Sequence, residues 1–266
     1  MFPFGNMLDK EEFMNKKAFT LAEVFSPYFL NQRKIAFTLA EVLITLGIIG
    51  VVAAMTLPAI IQKKNEIETV TKLKKSYSVL NQAFKMAEVK YGDISDWAEW
   101  NDAEVILDKY IIPEIRGVKK YGKATNSKLA LCYEPNFKLH NPETDNSSQY
   151  TWMDGVYISS PFFTNKTASF KLNDGSCIGL NPNTIYDNTR YHYNIMIDIN
   201  GVSGPNVAGE DLFFFTINNN AIRPYGYNWS YDDISSTKGN ACNRKAYLGG
   251  YTCAARIMSD GWTIKY

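Results

Sequence analysis

The stretch that decides the fold is Phe37–Ile61, FTLAEVLITLGIIGVVAAMTLPAII. It is almost wholly apolar. As a helix rising about 1.5 Å per residue, it is long enough to cross a hydrocarbon core of about 30 Å. Arg33 and Lys34 precede it and Lys63 and Lys64 follow it, so flanking charge alone is ambiguous. The expected orientation puts the N-terminus in the cytoplasm and everything after Lys63 outside. Two residues inside the run need a reason. Glu41 is a carboxylate in a spanning helix, where a charge costs on the order of 2.5–3.5 kcal/mol at the centre and less near the end. Such residues are normally kept for a functional partner. Pro58 removes a helix hydrogen bond, and lipid cannot satisfy the freed carbonyl, though a neighbouring helix can. A secretory signal peptide has an apolar core of only about 7–15 residues. This run is longer, and Glu41 would have no purpose in one.

Working outward, Lys34-Ile35-Ala36-Phe37-Thr38-Leu39-Ala40-Glu41-Val42 resembles the prepilin peptidase site of type IV pilins and type II secretion pseudopilins. That family is cut before the Phe of an FTLxE motif, and the new terminal Phe is N-methylated. The resemblance implies a cut between Ala36 and Phe37, with Ala36 standing where the family usually has Gly. It implies that Glu41 neutralises the N-terminal amine of Phe37 on an adjacent subunit and so sets the register of a growing filament. Two buried opposite charges are tolerable when paired, whereas each alone is costly. Gly50 and Pro58 fall where the family has its helix-loosening Gly and Pro. The resemblance covers roughly Lys34 to Gln62 and says little about the rest. It implies a prepilin peptidase, other pilin or pseudopilin subunits and an inner-membrane assembly platform as partners. It also implies a single-pass inner-membrane location, with the head in the periplasm or outside the cell.

Residues 1–36 are expected to be a leader, absent from the mature protein. They hold a second copy of the motif, Lys17-Ala18-Phe19-Thr20-Leu21-Ala22-Glu23-Val24. Phe25, Ser26, Pro27 and polar residues follow it, so this copy cannot span a membrane. It reads as a partial duplication without a working anchor.

Past the apolar run the helical pattern continues through 62–92. Ile67, Val70, Leu73, Tyr77, Leu80, Phe84, Ala87 and Tyr91 step by threes and fours, with lysines and glutamates mostly between them. This is one apolar stripe on a polar helix, and Gly92 is a natural stop. A single helix of roughly fifty-five residues from Phe37 to Tyr91 would run about 80 Å. Asn101–Tyr110 suggests a further short helix ending before Pro113.

Residues 93–266 form the expected head. Leu129–Tyr133 and Gly155–Ser159 are short apolar runs, and Phe170–Leu172 and Cys177–Leu180 flank an Asp174-Gly175 turn, as in a hairpin. Tyr193–Ile199 alternates like a half-buried strand, Leu212–Ile217 is continuously apolar, and Trp262–Tyr266 suggests a last edge strand. The fold class is α+β, pilin-like: a long N-terminal helix, membrane-spanning in its first half, packed on an antiparallel sheet.

The four cysteines all follow the apolar run and none forms a CxxC pair. An even number in an exported region favours disulfides. Four cysteines allow three pairings. Cys242 with Cys253 is preferred for their closeness along the chain, which leaves Cys132 with Cys177. The loop Asp198–Asp211, DINGVSGPNVAGED, repeats oxygen side chains among turn-forming glycines. Ca²⁺ takes about six to eight oxygens, and Asp198, Asn200 and Asp211 are the candidate ligands. The EF-hand pattern fails, because Gly209 stands at its twelfth position. By analogy, some pseudopilins hold Ca²⁺ in a C-terminal loop.

A formal net charge of +1 gives no argument for nucleic acid as a partner. The two histidines lack metal spacing, and no GxSxG, P-loop or GxGxxG is present, so no enzyme is expected. Three functions remain open: a type II secretion pseudopilin, a type IV pilus subunit for adhesion, motility or DNA uptake, and a membrane-tethered binding protein or hydrolase. The first is preferred.

Overall fold

A computed structural model describes residues 37–97, 102–123, 132, 151, 153, 158, 167–183, 192–201, 203–218 and 220–266. The leader with its repeated motif lies outside the described residues, as do the expected strands around 129–133 and 155–159, apart from Cys132 and Ile158. The chain resolves into two compact units, the first ending at Pro58 and the second running Ala59–Tyr266.

In the first unit, helix α1 (Leu39–Tyr91) begins immediately after Thr38. Its start is a capping box. The Glu41 carboxylate accepts the Thr38 backbone N–H at 2.8 Å, and the Glu41 N–H is donated to the Thr38 hydroxyl oxygen at 3.2 Å. Two donors that a helix start leaves orphaned are thereby satisfied. From Phe37 to Pro58 every residue is exposed, with side chains such as Leu39, Ile49 and Met55 bare. A helix this long and apolar, with its surface uncovered, suits lipid or other helices.

In the second unit, α1 continues to Tyr91 and stops at Gly92, whose φ of 82° suits glycine and whose N–H reaches the Glu88 carbonyl at 2.9 Å. Val70, Leu73, Leu80, Ala83, Phe84 and Ala87 are buried on one face. The expected stripe is longer than the buried one: Ile67 is 57% exposed and Tyr91 40%. Burying each large side chain contributes about 1.5–3 kcal/mol. The Trp97 ring stacks on Tyr110 at 4.4 Å and leans on Phe84 at 5.7 Å, closing the end of this face.

Helix α2 (Ala103–Ile106) starts at Asp102, whose carboxylate accepts the N–H groups of Glu104 and Val105. It runs on through a π turn, Leu107–Ile111, and a 3₁₀ turn, Ile112–Glu114. Pro113 sits at the start of that turn, where its missing N–H costs nothing.

Six strands follow among the described residues: β1 (Lys119–Lys123), β2 (Ala168–Lys171), β3 (Cys177–Asn183), β4 (His192–Asp198), β5 (Leu212–Asn218) and β6 (Ala221–Pro224). They pair antiparallel in chain order, a meander. The β2–β3 turn falls at Asp174-Gly175, with Gly175 at φ 95°. Phe170 faces Ile178 across one pair, and Ile195 faces Phe215 across another. Phe170, Ile178, Ile195, Ile197, Phe213, Phe215 and Ile217 share the core with α1. Cys177, Met196, Leu212 and Phe214 point to the other face, where Ala208 and Tyr251 cover them.

This second layer corrects one expectation. Strand β4 is not half-buried: Asn194, Met196 and Asp198 are buried as fully as their neighbours. The covering chain returns from the C-terminal lobe, which carries helices α3 (Tyr231–Ser235) and α4 (Cys253–Ser259).

The expected strand at Trp262–Tyr266 is also corrected. Gly261 (φ 69°) ends α4, and the Trp262 N–H reaches back to the Ile257 carbonyl at 2.8 Å while the Gly261 N–H bonds Met258. That is the Schellman pattern. The tail beyond is held by side chains, not by a neighbouring strand. The Arg256 guanidinium donates to the Lys265 carbonyl at 3.1 Å, and the Tyr266 hydroxyl donates to the Gly209 carbonyl at 2.6 Å.

Candidate functional site

The processing segment sits at the head of α1. Ala36 lies outside the described residues, and Phe37 is three-quarters exposed. Glu41 is the only charged residue between Phe37 and Gln62. One of its oxygens accepts both the Thr38 backbone N–H and the Thr38 hydroxyl, each at 2.8 Å. This fixes the carboxylate on Thr38, the residue that follows the Phe37 amine a cut before Phe37 would create. Thr38 was not singled out from sequence, although T-x-x-E ahead of an apolar run is a legible capping signal. Gly50 is bare, and a methyl group built on it meets nothing within 4 Å. Pro58 lies within the helix without ending it.

The loop between β4 and β5 gathers the three residues expected to bind calcium. Asp198 is fully buried and accepts the Asn200 N–H at 3.1 Å. Asp211 is almost fully buried, and its two oxygens accept the N–H groups of Asn206 and Val207, each at 2.7 Å. Burial pushes the Asp211 carboxyl above its ordinary range; these N–H groups and the Asn200 side chain work against that rise. The amide oxygens of Asn200 and Asn206 are buried with no donor. Asn206 was not among the expected ligands. It occupies a left-handed conformation, φ 57°, that Asn tolerates better than most residues. Among the described residues no group of three or more His, Cys, Asp or Glu gathers as a metal cluster. The oxygen set here is two carboxylates and two amides.

Both disulfides lie in the head: Cys242–Cys253 with a Cα separation of 4.6 Å, and Cys132–Cys177 at 5.9 Å. The first joins α4 to the loop before it. Gly209 packs against it so closely that an added Cβ would lie 2.5 Å from the Cys253 sulfur, so glycine is required there. Arg244 pairs with Glu210 across the same junction.

The fold and this segment define a class: a membrane-capable apolar helix that continues into an α+β head. Residues 31–57 match the prokaryotic N-terminal methylation motif. The chain therefore carries the prepilin-type cleavage and methylation segment of type IV pilins and pseudopilins, and the motif supports a type IV pilin-like protein. Residues 59–135 match a family of unknown function (DUF6613). No curated protein and no solved structure matches the chain.

Proposed function

We propose that this protein is a filament subunit, specifically a pseudopilin of a type II secretion system. It is cut before Phe37, N-methylated there, and assembled with other subunits from the inner membrane with its head on the periplasmic side. The observation that carries this reading is the first turn of α1. An exposed apolar helix holds one carboxylate, Glu41, bonded to the amide of Thr38, one residue beyond the nitrogen that cleavage would free as an amine. Glu41 there is the counter-charge for the Phe37 amine of an adjacent subunit. Its role is assembly, not catalysis. Glu41→Val is expected to leave cleavage intact and to abolish extraction into filaments, measured by processing in membranes and by sheared-filament yield. Normal filament yield from that variant would contradict the assignment.

The pseudopilin choice draws support from the Asp198–Asp211 loop, which is of the kind some pseudopilins use for calcium. Asp198, Asn200, Asn206 and Asp211 would hold Ca²⁺, with backbone carbonyls or water completing the shell. The ion would neutralise two buried carboxylates and give the orphaned amide oxygens a partner. Adding millimolar Ca²⁺ to chelator-treated protein is expected to raise the melting temperature by several degrees. An Asp198→Asn, Asp211→Asn variant should show no rise. An unchanged melting temperature in the native protein would remove the ion.

A surface pilus subunit is the second reading. Tyr227, Trp229, Tyr231 and Tyr247 stand exposed on the C-terminal lobe, as an outward binding face would require. Detecting the head on intact cells would favour it.

A further inference from the structure

The Cys242–Cys253 bridge is sealed inside the head. Both cysteines are fully buried and belong to the core around α1. On one side the bridge meets the turn at residues 207–211. The turn is drawn tight: the N–H groups of Glu210, Asp211 and Leu212 all point to the Val207 carbonyl, at 3.0–3.3 Å. It is also seated without clearance. A Cβ on Gly209 would lie 2.5 Å from the Cys253 sulfur, and a Cβ on Gly250 would lie 2.4 Å from the Ala208 carbonyl oxygen. The turn therefore touches the bridge and blocks a reagent's path to Cys253 while it stays down.

Two side-chain contacts pin the turn from outside. The Tyr266 hydroxyl donates to the Gly209 carbonyl at 2.6 Å, and Arg244 pairs with Glu210. Arg244 is 66% exposed, and an exposed pair contributes little, so Tyr266 is the stronger pin. Tyr266 is itself placed by Arg256. That guanidinium donates to the Cys242 carbonyl at 2.7 Å and to the Lys265 carbonyl at 3.1 Å, and it lies 5.4 Å from the Tyr266 ring centre. At the other end of the segment, Trp262 leans on Tyr77 of α1 at 6.0 Å. Held by side chains and not by a strand ladder, residues 262–266 open at a lower free energy than the core beneath them.

We propose that residues 262–266 are a strap that closes the 207–211 turn over the Cys242–Cys253 bridge, with the Tyr266 hydroxyl as its pin. The bridge is open to thiol–disulfide exchange before the strap docks and shut to it afterwards. Exchange needs a thiolate to reach one of the sulfurs, so access sets its rate. In forming the bridge, the two thiols give two electrons and two protons to the disulfide of an oxidising exchange partner, which leaves as a dithiol. Because both cysteines are buried in the closed head, that step precedes docking of the strap. Cys132–Cys177 lies in the cluster on the other face of the sheet, whereas Trp262, Ile264 and Tyr266 pack on the first. That second bridge is therefore an internal reference. The inference stands apart from the filament reading, since it uses the head alone.

The test uses the full chain, oxidised and folded in detergent. Dithiothreitol is the probe. One of its thiolates attacks a sulfur, its second thiol resolves the mixed disulfide, and both cysteines end as thiols. Samples are quenched over time and alkylated, and each bridge is followed by peptide mass. Tyr266→Phe removes the hydroxyl and keeps the ring. It is expected to speed reduction of Cys242–Cys253 about fivefold, as the loss of one hydrogen bond does to a local opening equilibrium. Tyr266→Ala also removes the packing of the ring and should speed it by roughly tenfold or more. Neither variant should change the rate at Cys132–Cys177. Native rates at both bridges in both variants would overturn the strap, because the bridge would then be sealed without Tyr266. Equal acceleration at both bridges would overturn it as well, because the head as a whole would have loosened.

Discussion

The residues that fix the account are few, and each acts through a nameable contact. Asp174 in the β2–β3 turn is 2.8 Å from the Lys75 ammonium on α1, a close ion pair. Partial burial alone would raise the Asp174 carboxyl, but the Lys75 charge and the Ser176 hydrogen bonds outweigh it and hold the group below its ordinary range. A depressed carboxyl stabilises the fold above the unfolded value, about 3.9. That contribution is lost as pH falls through the lower folded value. Lys75→Met should therefore lower stability modestly at pH 7, by under about 1 kcal/mol since Lys75 is well exposed, and should flatten the loss of stability below about pH 4. Denaturant titrations at pH 7 and pH 3 read the difference; parallel pH curves for the two proteins would exclude the pair. Glu41 was legible from sequence because a lone carboxylate in an apolar run is conspicuous. Its partner Thr38 was equally available, but the capping pattern was obscured by the spanning segment it opens. Asn206 gave less warning, since its amide oxygen is orphaned only by the turn that the loop makes.

At the scale of elements, the packing of α1 on the sheet does most to hold the head together. Phe84 is 1% exposed, between Trp97 and the apolar face of the strands. Phe84→Ala should cost about 3–5 kcal/mol, as large core truncations do. Chemical denaturation of the full chain in detergent measures it, and a loss below about 1 kcal/mol would mean that the helix does not rest on the sheet. The stripe was readable in sequence at its centre and misleading at its ends. Ile67 follows the period but meets open groove, because the chain that returns to α1 arrives at Trp262 and Ile264 rather than beneath it. The strands were readable where both faces are apolar, as in β5. Strands β1, Lys119–Lys123, and β6, Ala221–Pro224, escaped because lysines, glycine and proline break any strand pattern. Helix α4 escaped because seven residues, Cys253–Ser259, directly after a glycine turn are too few to show a period. Its position comes from the Cys242–Cys253 bridge and from Gly209, tertiary features invisible locally.

For the whole molecule, the two compact units divide the labour. One offers a bare apolar helix with a fixed carboxylate at its start. The other is an α+β head, stapled by two disulfides, with a groove along its helix. Both parts serve one purpose if the chain is cut before Phe37 and handed to a filament. The direct measurement is the N-terminal sequence and intact mass of the protein recovered from membranes, with and without a co-expressed prepilin peptidase. A filament subunit processed in this way gives a chain beginning at N-methyl-Phe37 when the peptidase is present and the longer precursor when it is absent. A chain uncut in both cases, or cut near Ala54 as a secretory signal would be, would contradict it.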